Sequence, residues 1–172
     1  RERLTEGFTR TAHTLVPLVW ELARLCDGNA GNYVHWGATT QNITQTGDLL
    51  QLRKAHRIFL GQISAILRPL ADLAERSKDM ALPGRTHGQH AGPATYGLKV
   101  AIWIDEFARH VERLRACEPR VFQALLGGAA GTVASFGDQG LKVQARMAAH
   151  LDMPAMPVPA RSIMDHLAEH VM

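Results

Sequence analysis

Residues 40–78 read TQNITQTGDLLQLRKAHRIFLGQISAILRPLADLAERSK, and this stretch decides the fold. Its apolar residues recur three or four positions apart, which is the spacing of one helix face: Leu49, Leu52, Ile58, Phe59, Ile63, Ile66, Leu67, Leu70 and Leu73. Such a helix would extend on the order of 55 Å, and Pro69 should bend it because proline lacks a backbone donor. A rod of this length needs partner helices to cover its apolar face. The pattern therefore predicts an all-α, long-helix bundle that self-associates.

The rest of the chain repeats the helical pattern, interrupted by glycine and proline. We expect helices over about residues 1–27 with a kink at Pro17, from about residue 94 with a kink or break at Pro119, over about 139–151, and from near Ser162. We expect connecting loops at residues 28–32, 82–93, 127–132 and 153–159. No stretch alternates apolar and polar residues convincingly, so no strand is predicted.

The composition argues against several classes of protein. The 172 residues carry a net charge of +3, and the basic residues are scattered singly, which argues against a nucleic-acid surface and fits a small anionic ligand. No apolar run approaches the roughly 18 residues of a membrane span. The start of the chain lacks the apolar region of a signal peptide, so a cytoplasmic location is expected. Cys26 and Cys117 are far apart and are expected to be reduced core thiols.

The first polar loop, residues 35–42, leads directly into the long helix. Thr39 and Thr40 stand where a helix begins, so their hydroxyls and the unpaired N–H groups of the first turn could bind a carboxylate or a phosphate. Alternatively, one threonine simply caps the helix. The two interpretations are compatible.

The second loop, residues 84–91, contains a candidate acid–base residue. His87 has an imidazole that can transfer a proton, while Thr86 and Gln89 can hydrogen-bond a polar substrate. The alternative is a linking loop whose histidines bond to nearby carbonyl groups. A metal site of His87 and His90, with His35 as a third ligand, lacks the acidic residues of zinc-hydrolase spacing.

The third loop contains the run GGAAGT at residues 127–132. It lacks the Lys-Ser or Lys-Thr ending of a nucleotide-binding P-loop and the strand that should precede one. A nucleotide hydrolase is therefore excluded.

Taken together, the three loops resemble the fumarase/aspartase superfamily over nearly the whole chain. Residues 34–42, VHWGATTQN, resemble its first signature region, commonly His-x-Gly-x-Thr-Ser-x-Asp. Residues 84–91, GRTHGQHA, with the later Pro93, Gly97, Lys99 and Trp103, resemble the second region of the adenylosuccinate lyase branch. Residues 127–140, followed by Val143, are similar to the corresponding part of 3-carboxy-cis,cis-muconate cycloisomerases.

The resemblance implies a homotetramer in which each active site takes its three signature regions from three subunits. The reaction would be a β-elimination that releases fumarate from an anionic carboxylate substrate, without cofactor or metal. Residues 1–172 would be a fragment, mostly of the central helical-bundle domain. The N-terminal part and the third signature loop with the catalytic base would lie outside it.

The resemblance also assigns roles to individual residues. Thr39 and Thr40 match the Thr-Ser pair that holds the substrate carboxylate, and His35 matches a histidine at the edge of that site. Thr86 and His87 match a Thr-His pair in which the histidine is the general acid, and Gln89 would help to position the substrate. Two positions depart from the usual pattern, since Thr40 replaces Ser and Asn42 replaces Asp.

Three functional interpretations stay open. His87 favours an adenylosuccinate lyase-like elimination, because cycloisomerases generally carry Trp there. Residues 127–140 favour a cycloisomerase, which closes a lactone by adding a carboxylate to a double bond. A non-catalytic helical assembly module is the third interpretation.

Overall fold

The computed structural model describes residues 1–159 and 162–172. Its helices are α1 (Glu2–Thr11), α2 (Val16–Leu25), α3 (Thr40–Arg76), α4 (Tyr96–Val121), α5 (Gly140–His150) and α6 (Asp165–Val171). Short 3-10 helices occupy Ala30–Tyr33 and Ala134–Gln139, and the strands β1 (Ala81–Thr86) and β2 (Gln89–Thr95) form an antiparallel hairpin. The predicted all-α, long-helix class is confirmed. In α3, 37 residues form one helix that continues through Pro69.

The chain divides into two compact units. Unit 1 consists of Arg1–Leu49 and Phe122–Asp165, and unit 2 consists of Leu50–Val121 and His166–Met172.

The core of unit 1 gathers segments that are distant in the sequence. Leu49 of α3 and Leu125 are both fully buried. The proline-rich connector packs beside Leu125, since Ala124 N–H donates to Pro154 O at 2.8 Å and Met156 N–H donates to Ala124 O at 3.0 Å. These bonds pair the backbone of a segment that contains three prolines and cannot form a helix.

Unit 2 is built on the later part of α3 and on α4, with the hairpin between them. Gly97 lets the two helices approach closely, because a Cβ there would lie 2.6 Å from Lys78 Cα. His56 is buried on α3, and its Nε2 lies 2.8 Å from Glu118 Oε1 on α4. A polar pair thus joins the two helices, and His56 has the structural role that its position inside a helix suggests.

The expected single kinked helix over residues 1–27 is wrong, because the chain breaks into α1 and α2. Ala12 adopts a left-handed conformation with φ of 49° at the end of α1. Pro17 lies in the first turn of α2, where its missing N–H has no helical partner to lose. A Cβ on Gly7 would lie 2.7 Å from Pro17 Cβ, so α1 and α2 pack directly against each other.

The expected loop at residues 82–93 is also wrong, since most of it is the β1–β2 hairpin. The strands pair Ala81 with Thr95 and continue to Thr86 opposite Gln89, with an irregularity between Gly84 and Arg85. Backbone hydrogen bonds hold such a ribbon without side-chain alternation, so a sequence rich in glycine and proline conceals it. The shorter helices begin close to their expected positions, at Gly140 for α5 and Asp165 for α6.

Two further observations bear on the kind of protein. Among the described residues, no helix combines the length and the apolar character that crossing a membrane requires. Cys26 and Cys117 are both free thiols, with Cys117 buried and Cys26 half-buried. Burial raises the pKa of the Cys117 thiol, and the nearby Glu169 carboxylate raises it further.

The close approach of α3 and α4 at Gly97 gives a stability test. Gly97→Ala should destabilise the chain by about 1–3 kcal/mol, since the added methyl group overlaps backbone atoms. Gly61→Ala is the matched control: Gly61 lies inside α3 with open space around its Cα, so alanine should stabilise by about 0.5–1 kcal/mol. Urea denaturation followed by circular dichroism measures both free energies of unfolding. Equal shifts in the two variants would contradict this packing.

Candidate active site

The start of α3 in unit 1 is a half-buried helix terminus that an amide side chain caps. Asn42, in the first turn, accepts a hydrogen bond from Thr39 N–H at its Oδ1 (3.1 Å), and Asn42 N–H donates to Thr39 O (3.0 Å). The capping contact therefore uses the Asn42 side chain instead of the predicted threonine hydroxyl. The helix dipole places partial positive charge at this end, which favours an anionic ligand.

His13 contacts Thr40, and sequence reasoning missed it. His13 Nδ1 accepts hydrogen bonds from Leu15 N–H at 3.1 Å and Val16 N–H at 3.3 Å. A neutral imidazole that accepts at Nδ1 carries its proton on Nε2. That Nε2 lies 3.5 Å from Thr40 Oγ1, at the long end of the hydrogen-bond range. His13 thus supports the start of α2 and presents a donor to Thr40.

The sequence signal that could have revealed His13 is the local break between α1 and α2. His13 lies 27 positions before Thr40, so no motif spacing connects the two residues. The break between α1 and α2 turns the chain back toward the start of α3, and only a correct prediction of that break would have brought His13 into consideration.

A cavity of about 150 Å³ lies beside Thr40 and His35. At roughly 30 Å³ per water molecule, it would hold about five waters or a small organic group. Its remaining lining is apolar and comes from α2 and the residue before it: Leu15, Val16, Val19 and Trp20. The Arg10 guanidinium carbon lies 4.8 Å from the centre of the Trp20 ring, which places a positive charge next to this lining.

His35 has an unusual backbone and an unused nitrogen. Its φ is 64°, in the left-handed region that is uncommon for a residue other than glycine. Its Nε2 is buried and has no hydrogen-bond partner among residues 1–159 and 162–172. A buried polar atom of this kind is costly unless a ligand or another chain supplies a partner. The structure therefore brings His35 and Thr40 together at one cavity, with Thr39 adjacent in the chain.

Thr86, His87 and Gln89 form the tip of the β1–β2 hairpin in unit 2. The two-residue turn between the strands is His87-Gly88, with φ of 49° and 72°. Positive φ at both turn positions gives the twist that paired strands require, but it is strained for histidine and favours Gly or Asn. All three side chains are exposed. The turn therefore leaves the His87 imidazole exposed at the tip of the hairpin.

The third glycine-rich segment packs against the first motif in unit 1. Gly128 N–H donates to Asn42 Oδ1 at 3.0 Å, and Trp36 Nε1–H donates to Ser135 O at 3.2 Å. A Cβ on Gly37 would lie 2.5 Å from the Phe136 ring. This segment supports the start of α3. No group of three or more His, Cys, Asp or Glu that could hold a metal ion is found in the described part of the chain.

Comparisons with known proteins give one consistent relationship. A family model described as Lyase matches residues 8–171. The chain is 40% identical to an adenylosuccinate lyase of Methanothermobacter thermautotrophicus, over 99% of this chain and 38% of the relative. It is 42% identical to an N-acetyl-S-(2-succino)cysteine lyase of Enterococcus italicus, over 92% of this chain and 34% of the relative.

Two more comparisons extend this relationship. A 3-carboxy-cis,cis-muconate cycloisomerase of Pseudomonas aeruginosa is 38% identical, over 96% of this chain and 37% of the relative. The crystal structure of a fumarate lyase from Mesorhizobium sp. BNC1 superimposes with a TM-score of 0.91 at 40% identity, over 99% of this chain and 40% of the other. The chain thus spans about two fifths of the length of the proteins it matches.

The two contacts of His13 can be separated by substitution. His13→Asn keeps a side-chain acceptor for Leu15 N–H, because asparagine bonds to the backbone two residues ahead. His13→Ala removes the acceptor and should destabilise the chain by about 1 kcal/mol, the usual effect of losing a helix cap. In thermal denaturation, the melting temperature of His13→Asn should therefore be close to that of the native chain, and the native chain should melt above His13→Ala. A large loss in His13→Asn would show that the imidazole stabilises the unit in another way.

Proposed function

The chain belongs to the lyases of the fumarase/aspartase superfamily, and on that basis we propose that the whole protein catalyses a cofactor-free β-elimination. Its substrate is an anion that carries a carboxylate, and the product is of the fumarate type, as in adenylosuccinate lyase. One observation carries this proposal: a cavity at the start of α3 is lined by Thr40 and His35, and His13 contacts Thr40.

The start of α3 suits the charge that an elimination creates. Removal of a proton from the carbon next to a carboxylate moves the bonding electrons onto that carboxylate, which becomes a doubly charged aci-carboxylate. Fixed donors aimed at this group stabilise the transition state more than the substrate. The Thr39 and Thr40 hydroxyls and the positive end of the helix dipole are such donors. A base outside the present chain would take the proton.

His13 supports the stabilisation of the carboxylate because it influences where the hydrogen of the Thr40 hydroxyl points. When Thr40 Oγ1 accepts a hydrogen bond from His13 Nε2–H, its own hydrogen is directed elsewhere and can be donated to a substrate carboxylate. His35 lines the same cavity, and its buried Nε2 has no partner among the described residues.

We assign the general acid to His87. As the bond to the leaving nitrogen or oxygen breaks, that atom takes the bonding pair and needs a proton, which an imidazolium can supply. Thr86 and Gln89 flank His87 and would hydrogen-bond the substrate. The exposure of this hairpin tip favours a site to which more than one subunit contributes.

We propose a homotetramer because the long helices expose apolar surface. In unit 2, α3 and α4 expose large apolar side chains along their length: Ile58, Phe59, Ile66, Leu98, Ile102 and Trp103. Apolar surface on this scale is typical of a protein interface. A cytoplasmic location is proposed as well, because Cys26 and Cys117 are both free thiols.

Lactone formation is the second candidate. The similarity to a cycloisomerase over 96% of the chain favours it, together with the sequence of residues 127–140. Both reactions need a stabilised carboxylate, so the start of α3 serves either one. The two reactions differ in the reacting bond: elimination breaks the bond to a leaving group, whereas lactone formation adds a carboxylate to a double bond.

A substrate panel on the full-length protein tests the proposal. Adenylosuccinate and N-acetyl-S-(2-succino)cysteine should be cleaved with release of fumarate, which is followed by its absorbance. Conversion of 3-carboxy-cis,cis-muconate with loss of diene absorbance would favour the cycloisomerase instead. Absence of turnover on all three, in a protein that folds and assembles, would favour a non-catalytic module.

The role of His87 is tested by a replacement that suits the turn. His87→Asn keeps a residue that tolerates the left-handed conformation, so the hairpin should persist while the acid is lost. Turnover of the full-length protein should fall by about 10²-fold or more. His90→Asn on β2 is the control and should leave turnover near the native value. Unchanged turnover in His87→Asn would exclude His87 as the acid.

A further inference from the structure

Asn42 links two backbone segments of unit 1 that are distant in the sequence. It is 1% exposed, and its Oδ1 accepts hydrogen bonds from two backbone donors that are far apart in the sequence. One is Thr39 N–H at 3.1 Å, and the other is Gly128 N–H at 3.0 Å. A single oxygen atom therefore joins the residue before α3 to the third glycine-rich segment.

The packing around this oxygen leaves little room for adjustment. Gly128 has φ of 73°, and a Cβ there would lie 2.9 Å from Gly37 O. The Gly128 N–H that donates to Asn42 thus belongs to backbone in close contact with its neighbour. A change at Asn42 would be transmitted to Thr39 on one side and to Gly128 on the other.

Among the described residues, the hydrogen bonds of the Asn42 side chain use its oxygen and not its nitrogen. Because Oδ1 accepts both N–H groups, Nδ2 must point the other way. Nδ2 is buried and has no hydrogen-bond partner among the residues the structure describes. An aspartate could accept the same two bonds without this unpaired donor, and its charge would suit the start of a helix.

We propose that Asn42 is a positioning residue for the elimination. Its oxygen fixes the Thr39–Thr40 pair against Gly128, and so sets where the substrate carboxylate meets its donors. This inference rests on the proposed function, because it assumes that Thr39 and Thr40 hold that carboxylate. Small errors in such placement reduce the rate strongly, since the donors act on charge that grows in the transition state.

Thr46 provides a matched control one turn further along α3. It is also buried, and it also joins α3 to a distant backbone segment: Thr46 Oγ1 accepts from Leu125 N–H at 3.2 Å and lies 3.4 Å from Leu125 O. Thr46→Val therefore removes a comparable buried bond from the same helix without touching Thr39, Thr40 or Gly128.

The experiment compares Asn42→Leu, Asn42→Asp and Thr46→Val in the full-length protein, with the substrate that the panel identifies. Asn42→Leu should lower kcat at least about tenfold. It should also speed amide hydrogen exchange in a peptide covering residues 125–133. Asn42→Asp should restore kcat to within about threefold of native. Thr46→Val should lower the melting temperature but also keep kcat within about threefold of native.

Two outcomes would overturn the proposal. One is a kcat loss in Thr46→Val equal to that in Asn42→Leu, which would make the effect general destabilisation. The other is failure of Asn42→Asp to restore kcat while its exchange in residues 125–133 is native. Should Asn42→Leu fail to fold, Asn42→Ala replaces it, since water can enter the space left. Failure of the proposed function looks different, because the native protein itself would then turn over no substrate.

Discussion

The first turn of α3 imposes the constraint on which unit 1 depends. Backbone N–H groups at the start of a helix have no intrahelical acceptors and must find other partners. Here the Asn42 side chain binds the amide just before the helix, and the same oxygen holds the segment that contains Gly128. His13, in the break between α1 and α2, contacts Thr40, the first residue of α3. Segments that are distant in the sequence are therefore gathered at one helix end, where an anion is electrostatically favoured.

The sequence predicted the long helices well and their surroundings less well. The apolar repeat in residues 40–78 specifies α3 because helix periodicity depends on neighbours within the same turn or the next. The hairpin at residues 81–95 depends on backbone pairing between exposed strands, which leaves little trace in side-chain type. The break after Thr11 depends on how α1 packs against Pro17, and that is a tertiary contact.

The candidate site shows the same contrast between features that depend on nearby residues, which could be predicted, and features that depend on tertiary contacts, which could not. Thr39 and Thr40 could be placed at a helix start because the motif and the helix pattern adjoin in the sequence. The cavity that Thr40 shares with His35 is lined mainly by α2 and the residue before it, so its position depends on tertiary packing. His13 and the link from Asn42 to Gly128 could not be found from the sequence either, because the hydrogen bonds span 27 and 86 positions. Such contacts exist only once the chain has folded.

The hairpin also limits how this region can change over evolutionary time. Its turn has only two residues, and side chains alternate between the two faces of each strand. An inserted or deleted residue in either strand would shift the register, reverse the faces of every side chain beyond it and carry the imidazole away by about 3.3 Å. We therefore expect descendants of this chain to vary in the identity of the exposed strand residues other than Thr86 and Gln89, while the number of residues between Met80 and Tyr96 stays constant.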